Sequence, residues 1–330
     1  MRKYLELWKK FKMPQIKVGI IGTGVMGGNH IRVAGRNSAV DLVAVCDSDI
    51  ERLNALEVGE DVELLLDPSK MLDICDGIII ATPTEYHSPL GKLCLEAGVP
   101  CLIEKPLAST VSDGEELIAL SKKNNTVLMA GHIERFNSAV LALPEFLKDP
   151  FHFEFRRISP FSPRVRESIV TDLMIHDLEL LLHLNPAQVT SIQTIGQSRK
   201  TEWADSANVL LTFDDGSTAH LSASRIGQQK IRSIEISQSE SVVHADLLRQ
   251  DVTISKVDHV EFSTEGGMRY RQSGVLEVPF IQNNGEPLMV EQMAFANAVE
   301  KNDLTLVSPE SALAALKLAF EIDSQIPAFA

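Results

Sequence analysis

The sequence predicts an α/β protein of two domains, a doubly wound parallel sheet followed by an α+β domain whose sheet is antiparallel. Three observations lead there. Between Ile16 and about His132, short β-branched runs alternate with helical stretches, the pattern of strands buried on both faces and covered by helices. After about Glu134 the texture changes to alternating apolar and polar residues, as in strands with one wet face. With 330 residues, 44% of them hydrophobic, the chain can fill two cores.

The elements follow in order. The opening "MRKYLELWKKFK" reads as a short basic amphipathic helix, and residues 1–13 are set apart as an N-terminal extension because Met13 stands just before the first strand. Over 14–133 the strands are "IKVGIIG", "VDLVAVCD", "GIIIATP", "CLIEKP" and "TVLMAGH", with helices such as "PLGKLCLEAG" and "VSDGEELIALSKKNN" between them. Over 134–330 a helical segment (137–147) precedes the strand "FHFEFRRI" and the apolar helix "TDLMIHDLELLLHL". Six alternating runs come next, from "QVTSIQTIG" to "VTISKV", with Asp214-Asp215-Gly216 as a hairpin turn. Two helices close the chain, "EPLMVEQMAFANAVEKN" and "SPESALAALKLAFEIDSQ", the second capped at Ser308 or its neighbour.

Bulk composition excludes several functions. Thirty-one basic against 45 acidic residues leave a net charge of −14, which repels nucleic acid and anionic membranes, so neither is an expected partner. Cys46, Cys75, Cys94 and Cys101 lie mostly in apolar runs without CxxC spacing and read as buried reduced thiols. The start has no apolar run of signal-peptide length, and no membrane span is legible; a cytoplasmic protein is expected.

"VGIIGTGVMGGNHIR" holds Gly22-x-Gly24-x-x-Gly27 between a strand and a helix. Such glycines permit the tight turn and let the backbone, with Val25 and Met26, approach a pyrophosphate resting on the helix N-terminus. Asp47 ends the second strand, 20 residues beyond Gly27, where a carboxylate would accept hydrogen bonds from the adenosine ribose hydroxyls. The expected cofactor is NAD; the carboxylate would repel the 2′-phosphate of NADP, although nearby Arg52 keeps that choice open. "CLIEKPLA" places Glu104, Lys105 and Pro106 at the carboxyl end of a later strand, where Lys105 either orients a substrate hydroxyl or is a solvated strand-end lysine.

On "TDLMIHDLELLLHL", at roughly 100° per residue, Asp172, His176, Glu179 and His183 fall within an arc of about 60° on an otherwise apolar helix. The HExxH and HxxEH orders are absent, so no metal is expected. Glu179 and His183 read as a paired or partly exposed helix edge. His30, His87 and His132 stand at strand or helix ends and serve equally well as caps or packed side chains. Arg156, Arg157, Arg164 and Arg166 fall within eleven residues of an acidic chain, with Arg135 nearby; either one of them meets an anionic substrate group or they form a solvated strand and loop.

The glycine motif with His30, "ATPTEYH" (81–87), "AGVPCLIEKPL" and Asp172-x-x-x-His176 together resemble, in order and spacing, the glucose-fructose oxidoreductase / inositol dehydrogenase / MocA family. The resemblance implies a Rossmann domain, an α+β domain with a large open sheet, and a nicotinamide between them. It implies Thr82, Pro83, His87, Glu104 and Lys105 as further cofactor contacts. It also implies that Lys105 meets substrate and cofactor and that Asp172 and His176 handle the proton; from the arginine cluster, Arg135 and Arg164 are the expected substrate contacts. Two departures stand out: Met174 replaces a frequent glycine, and Glu179 a frequent aspartate. "LMAGHIERFNSAV" with "DLMIHDLEL" looks most like the nucleotide-sugar branch, such as UDP-N-acetylglucosamine 3-dehydrogenases.

The function so implied is oxidation of a secondary alcohol on a sugar or nucleotide sugar, in a homo-dimer or homo-tetramer. Two alternatives use the same scaffold: a biliverdin-reductase-like or imine-reducing enzyme, and a non-catalytic dinucleotide-binding sensor.

Overall fold

The computed structural model describes residues 15–163, 165, 167–264, 267–303 and 307–327; the extension 1–13, Arg164 and Arg166 lie outside the described residues. The chain divides into two compact units. The first ends at Phe136 and resumes over Gly285–Lys317; the second covers Asn137–Asn284 and the chain from Leu318 on.

Six parallel strands form the sheet of the first unit: β1 (Ile16–Ile21), β2 (Val40–Cys46), β3 (Glu63–Leu65), β4 (Gly77–Ile80), β5 (Cys101–Glu104) and β6 (Leu128–Gly131). Their order is β3-β2-β1-β4-β5-β6, so the winding reverses between β1 and β4. At that reversal the connections diverge to opposite sides and open a crevice at the strands' carboxyl ends. β4, β5 and β6 are buried at every position, which accounts for their unbroken apolar spelling. The short edge strand β3 has no such signal and does not stand out in the sequence.

The covering helices are α1 (Val25–Ala34), α2 (Ile50–Asn54), α3 (His87–Glu96) and α4 (Val111–Asn124). α4 starts at a reciprocal cap, Thr110 accepting from the Asp113 amide at 3.1 Å while its hydroxyl donates to the Asp113 carboxylate at 2.6 Å. The four cysteines are buried free thiols; burial pushes Cys46 up to about 11 and Cys75 and Cys94 up to about 12.

Helix α7 (Pro287–Lys301) belongs to this first unit, whereas chain order groups it with the second domain. Val290, Ala294, Phe295 and Ala298 recur at helical spacing and share a core with Ile16, Val18, Ile20 and Ile79. Gly77 makes room for the ring: a Cβ there would lie 3.0 Å from Phe295. α7 follows α5 (Ser138–Ala142) and α6 (Ile175–Leu184) in sequence, and the division between units then falls inside α8 (Pro309–Ser324).

The second unit is built on eight strands: β7 (Pro150–Ile158), β8 (Val189–Gln197), β9 (Ser206–Phe213), β10 (Thr218–Ser224), β11 (Ile231–Gln238), β12 (Ser241–Asp246), β13 (Asp251–Thr264) and β14 (Gly267–Glu277). Their order is β14-β13-β12-β11-β7-β10-β9-β8, antiparallel throughout except for β7 beside β10. The helix expected over 137–147 is interrupted: α5 stops at Ala142 and Pro144 sits in a separate 3-10 turn, Leu143–Glu145. A π-helical turn, Val170–Met174, leads into α6, so Asp172 and His176 do not follow ideal α spacing.

Strand alternation sends Arg156 outward and Arg157 inward. Arg157 meets Asp177 of α6, Nε lying 3.0 Å from each carboxylate oxygen and Nη2 2.7 Å from Oδ1, with both side chains buried. Removing one partner would strand a charge in the core. Asp177→Ala is therefore expected to lower stability by about 3–5 kcal/mol in urea unfolding, and Arg157→Met/Asp177→Leu to recover much of that loss.

Candidate active site

In the first unit the β1–α1 turn is shaped by contact. Gly22 has φ +96, and its amide donates to Cys46 O at 2.8 Å, tying the turn to the end of β2. A Cβ on Gly27 would stand 1.8 Å from Gly22 O, so the helix can pass under the turn only if residue 27 is glycine. Gly24 has open space around its missing Cβ and caps α1 with no side-chain hydrogen bond, leaving the first-turn amides of a ten-residue helix to an outside acceptor. Val25 projects outward, 66% exposed. A bare helix N-terminus reached across glycines is the donor set a pyrophosphate requires.

Asp47 follows β2 and is half-buried. Its Oδ2 accepts from the Thr23 amide at 2.8 Å and the Thr23 hydroxyl at 2.7 Å, and Oδ1 from the Asp49 amide at 3.0 Å. Burial pushes this carboxyl up, but those hydrogen bonds and the Arg52 charge outweigh it and hold it below its ordinary value. The result is a fixed anion beside the glycine turn with acceptor capacity left on Oδ1, which suits ribose hydroxyls and opposes a phosphate there. Arg52 turns its Nε to Asp49, 3.2 Å away, on the surface.

Past β4, Thr82 is half-buried and Pro83 exposed. His87, at the start of α3, is buried with Nδ1 2.8 Å from Pro106 O and Nε2 3.0 Å from Thr82 O. Burial outweighs those two carbonyls and pushes the imidazole down, so the neutral ring donates to one of them and braces the loop after β5. In that loop the Lys105–Pro106 peptide is cis and Lys105 is half-buried. Glu104, which the family resemblance implies as a cofactor contact, is turned inward: its Oε1 lies 2.9 Å from His30 Nε2, and its Oε2 accepts from the Lys105 amide at 3.2 Å. His30, His87 and His132 are all buried. Arg135 is buried too, on a 3-10 turn over Ile133–Phe136.

In the second unit Asp172 sits on the π turn and His176 on the first turn of α6, both half-buried. Sequence reasoning missed Arg225, just past β10. Its side chain is 3% exposed, and Nη2 lies 3.8 Å from Asp172 Oδ2. Nη1 donates to Glu167 O at 2.9 Å. Burial lowers the guanidinium's pKa against the pull of Asp172, Asp205 and Glu167, yet arginine keeps its proton, so a fixed cation backs Asp172. Its one signal in the sequence is an arginine closing an alternating strand. Glu179, read as a helix edge, is instead buried, while His183 is half-buried.

Residues 16–132 match the model of an oxidoreductase family with an NAD-binding Rossmann fold, and residues 151–243 match the GFO/IDH/MocA C-terminal domain. The UDP-N-acetylglucosamine 3-dehydrogenase of Acidithiobacillus ferrooxidans is 32% identical over 247 residues, 73% of this chain and 77% of that protein. Inositol 2-dehydrogenase 1 of Saccharopolyspora erythraea is 30% identical over 205 residues, 57% of this chain and 60% of that one. In structure, the Acidithiobacillus enzyme superposes with a TM-score of 0.85 at 26% identity, covering 95% of this chain and 98% of its own. The Lactobacillus casei scyllo-inositol dehydrogenase, solved with NAD(H) and scyllo-inositol, shares the fold with a TM-score of 0.77 at 19% identity, covering 95% of this chain and 97% of its own. The chain therefore belongs to the GFO/IDH/MocA family of NAD-binding oxidoreductases and is a dehydrogenase.

Proposed function

We propose that this dehydrogenase oxidises a secondary alcohol on the sugar ring of a nucleotide sugar, with UDP-N-acetylglucosamine at C3 as the first candidate. The observation that carries the reading is local: Asp172, backed by the buried Arg225 cation at 3.8 Å, stands four residues before His176. In the proposed site the carboxylate, with this cation behind it, orients the imidazole and stabilises it once protonated. The substrate class is supported by likeness to the Acidithiobacillus enzyme in sequence and fold.

Bound NAD supplies the carbon that accepts hydride. The glycines at 22, 24 and 27 and the α1 amides hold its pyrophosphate, and Asp47 its ribose. His176 takes the proton of the reacting hydroxyl, Asp172 stabilises the resulting imidazolium, and Lys105 orients the hydroxyl oxygen. Arg135 and Arg164 are proposed to serve the anionic nucleotide. Four buried thiols fit a reducing cytoplasm. Among the described residues no helix is long and apolar enough to cross a membrane. The second unit, with outward residues such as Ile195 and Leu210, is proposed to mediate a homo-dimer or homo-tetramer.

Three outcomes are expected. In a panel of UDP-sugars, free sugars and inositols with NAD, NADH formation should be fastest with a UDP-sugar; turnover confined to free polyols would sink the nucleotide-sugar reading. His176→Ala should lower kcat by about 10²–10⁴-fold with NAD affinity unchanged, measured by steady-state kinetics and cofactor titration. Asp47→Ala should weaken NAD binding and narrow the preference over NADP; an unchanged ratio would remove the ribose assignment.

A further inference from the structure

Helix α7 carries an ionisable side chain where none would be expected. Glu291 is 0% exposed, and among the described residues neither of its carboxyl oxygens has a hydrogen-bond partner. One polar atom from each of Glu291, Glu104 and His30 lies within 4.8 Å of the other two, all inside the first unit. Two carboxyl groups so close, and out of water, cannot both be charged without a large penalty.

The hydrogen bonds around them assign each donor in turn, starting from the backbone. The Ala39 amide donates to Asn37 Oδ1 at 3.1 Å, which fixes that side-chain amide and sends its nitrogen to Gln292 Oε1 at 3.3 Å. Gln292 Nε2 is thereby the other end, donating to His30 O at 2.9 Å and facing His30 Nδ1 at 3.3 Å. Nδ1 is the acceptor, so the ring proton sits on Nε2 and is donated to Glu104. A metal ion would need the Nε2 lone pair, which this chain of donors does not leave free. Glu104 receives one hydrogen bond on each oxygen, whereas Glu291 receives none, so Glu104 is the one of the two whose oxygens are met by donors.

Other charged groups around α7 do not change this assignment. The 3-10 turn packed on it brings buried Glu134 and Arg135, β1 and β2 bring the exposed Lys17 and Asp41, and α1 brings Arg32, which pairs with Glu286. Glu300 and Lys301 lie at the far end of α7. Burial first, then the charge on Glu104, pushes the Glu291 carboxyl well above the usual range.

We propose that Glu291 is a neutral carboxylic acid that holds a proton beside ionised Glu104, and that Glu291, Glu104 and His30 are positioning residues for Lys105. Glu104 grips the Lys105 amide directly. Ionising Glu291 would set a second negative charge against Glu104 and loosen that grip. The functional half rests on the proposed role of Lys105; the protonation half does not.

The folded chain keeps a proton on Glu291 that the unfolded chain loses at the ordinary glutamate pKa. The stability this contributes is full below that pKa and lost as pH rises through the folded value. Melting the full-length wild type and Glu291→Gln across pH should give curves that converge in acid, with the variant gaining on wild type as pH rises. At mildly alkaline pH, infrared spectra of wild type should show a protonated-carboxyl stretch that shifts in D₂O and is missing from Glu291→Gln. The alkaline limb of kcat should move in Glu291→Gln. Parallel melting curves, absence of that band, or a stoichiometric divalent metal in purified wild type would each overturn the proposal. The wild-type infrared spectrum decides the protonation even if the variant fails to fold. A Lys105→Met enzyme with full turnover, alongside the band, would overturn the lysine's role and leave the protonated acid standing.

Discussion

The first unit depends on one close approach, helix α1 passing beneath the turn that feeds it. A side chain at residue 27 would stand 1.8 Å from Gly22 O, so the contact admits only hydrogen. The same turn donates a hydrogen bond to the end of β2 and presents Thr23 to Asp47, so one steric constraint sets both the helix N-terminus and the carboxylate beside it. The topological reversal at β1 and β4 makes that edge a crevice, and β5 delivers Lys105 to the same edge. Backbone packing, rather than any single recognition residue, is what makes this edge fit a dinucleotide.

Buried charge is handled differently in the two units. In the second, Arg157 and Asp177 neutralise each other with fork geometry, and Arg225 backs Asp172 from the interior. In the first, Glu104 draws its donors from His30 and a backbone amide, with no cation in those bonds. A charged pair holds α6 against β7, while a set of hydrogen bonds holds the loop after β5. The difference matches the tasks proposed for the two places, a rigid platform for Asp172 and His176 and a backbone grip at Lys105.

Much of this is legible in the sequence because the physics is local. Unbroken β-branched runs announce the buried parallel strands, alternation announces the sheet of the second unit, and the glycine spacing with Asp47 announces the turn. What escapes depends on contacts distant in sequence. Three-residue β3 carries no periodicity, and chain order cannot say which core α7 rejoins; only its packing with Ile16, Val18 and Ile79 decides that. Asp177, Arg225 and Glu291 drew no expectation, since nothing in a single sequence marks a charged residue that folding buries against another element. The π turn at Val170–Met174 is equally hidden, and it alters the helical stripe that the spacing of Asp172 and His176 suggests.

Hydride transfer from a sugar carbon to NAD is tested most directly by isotope. UDP-N-acetylglucosamine carrying deuterium at C3 is turned over with NAD, and the reduced cofactor is analysed by NMR. Deuterium at the nicotinamide C4 together with a 3-keto product is the result predicted. NADH formed without deuterium, or no NADH from this substrate while another alcohol is oxidised, would contradict the proposed reaction.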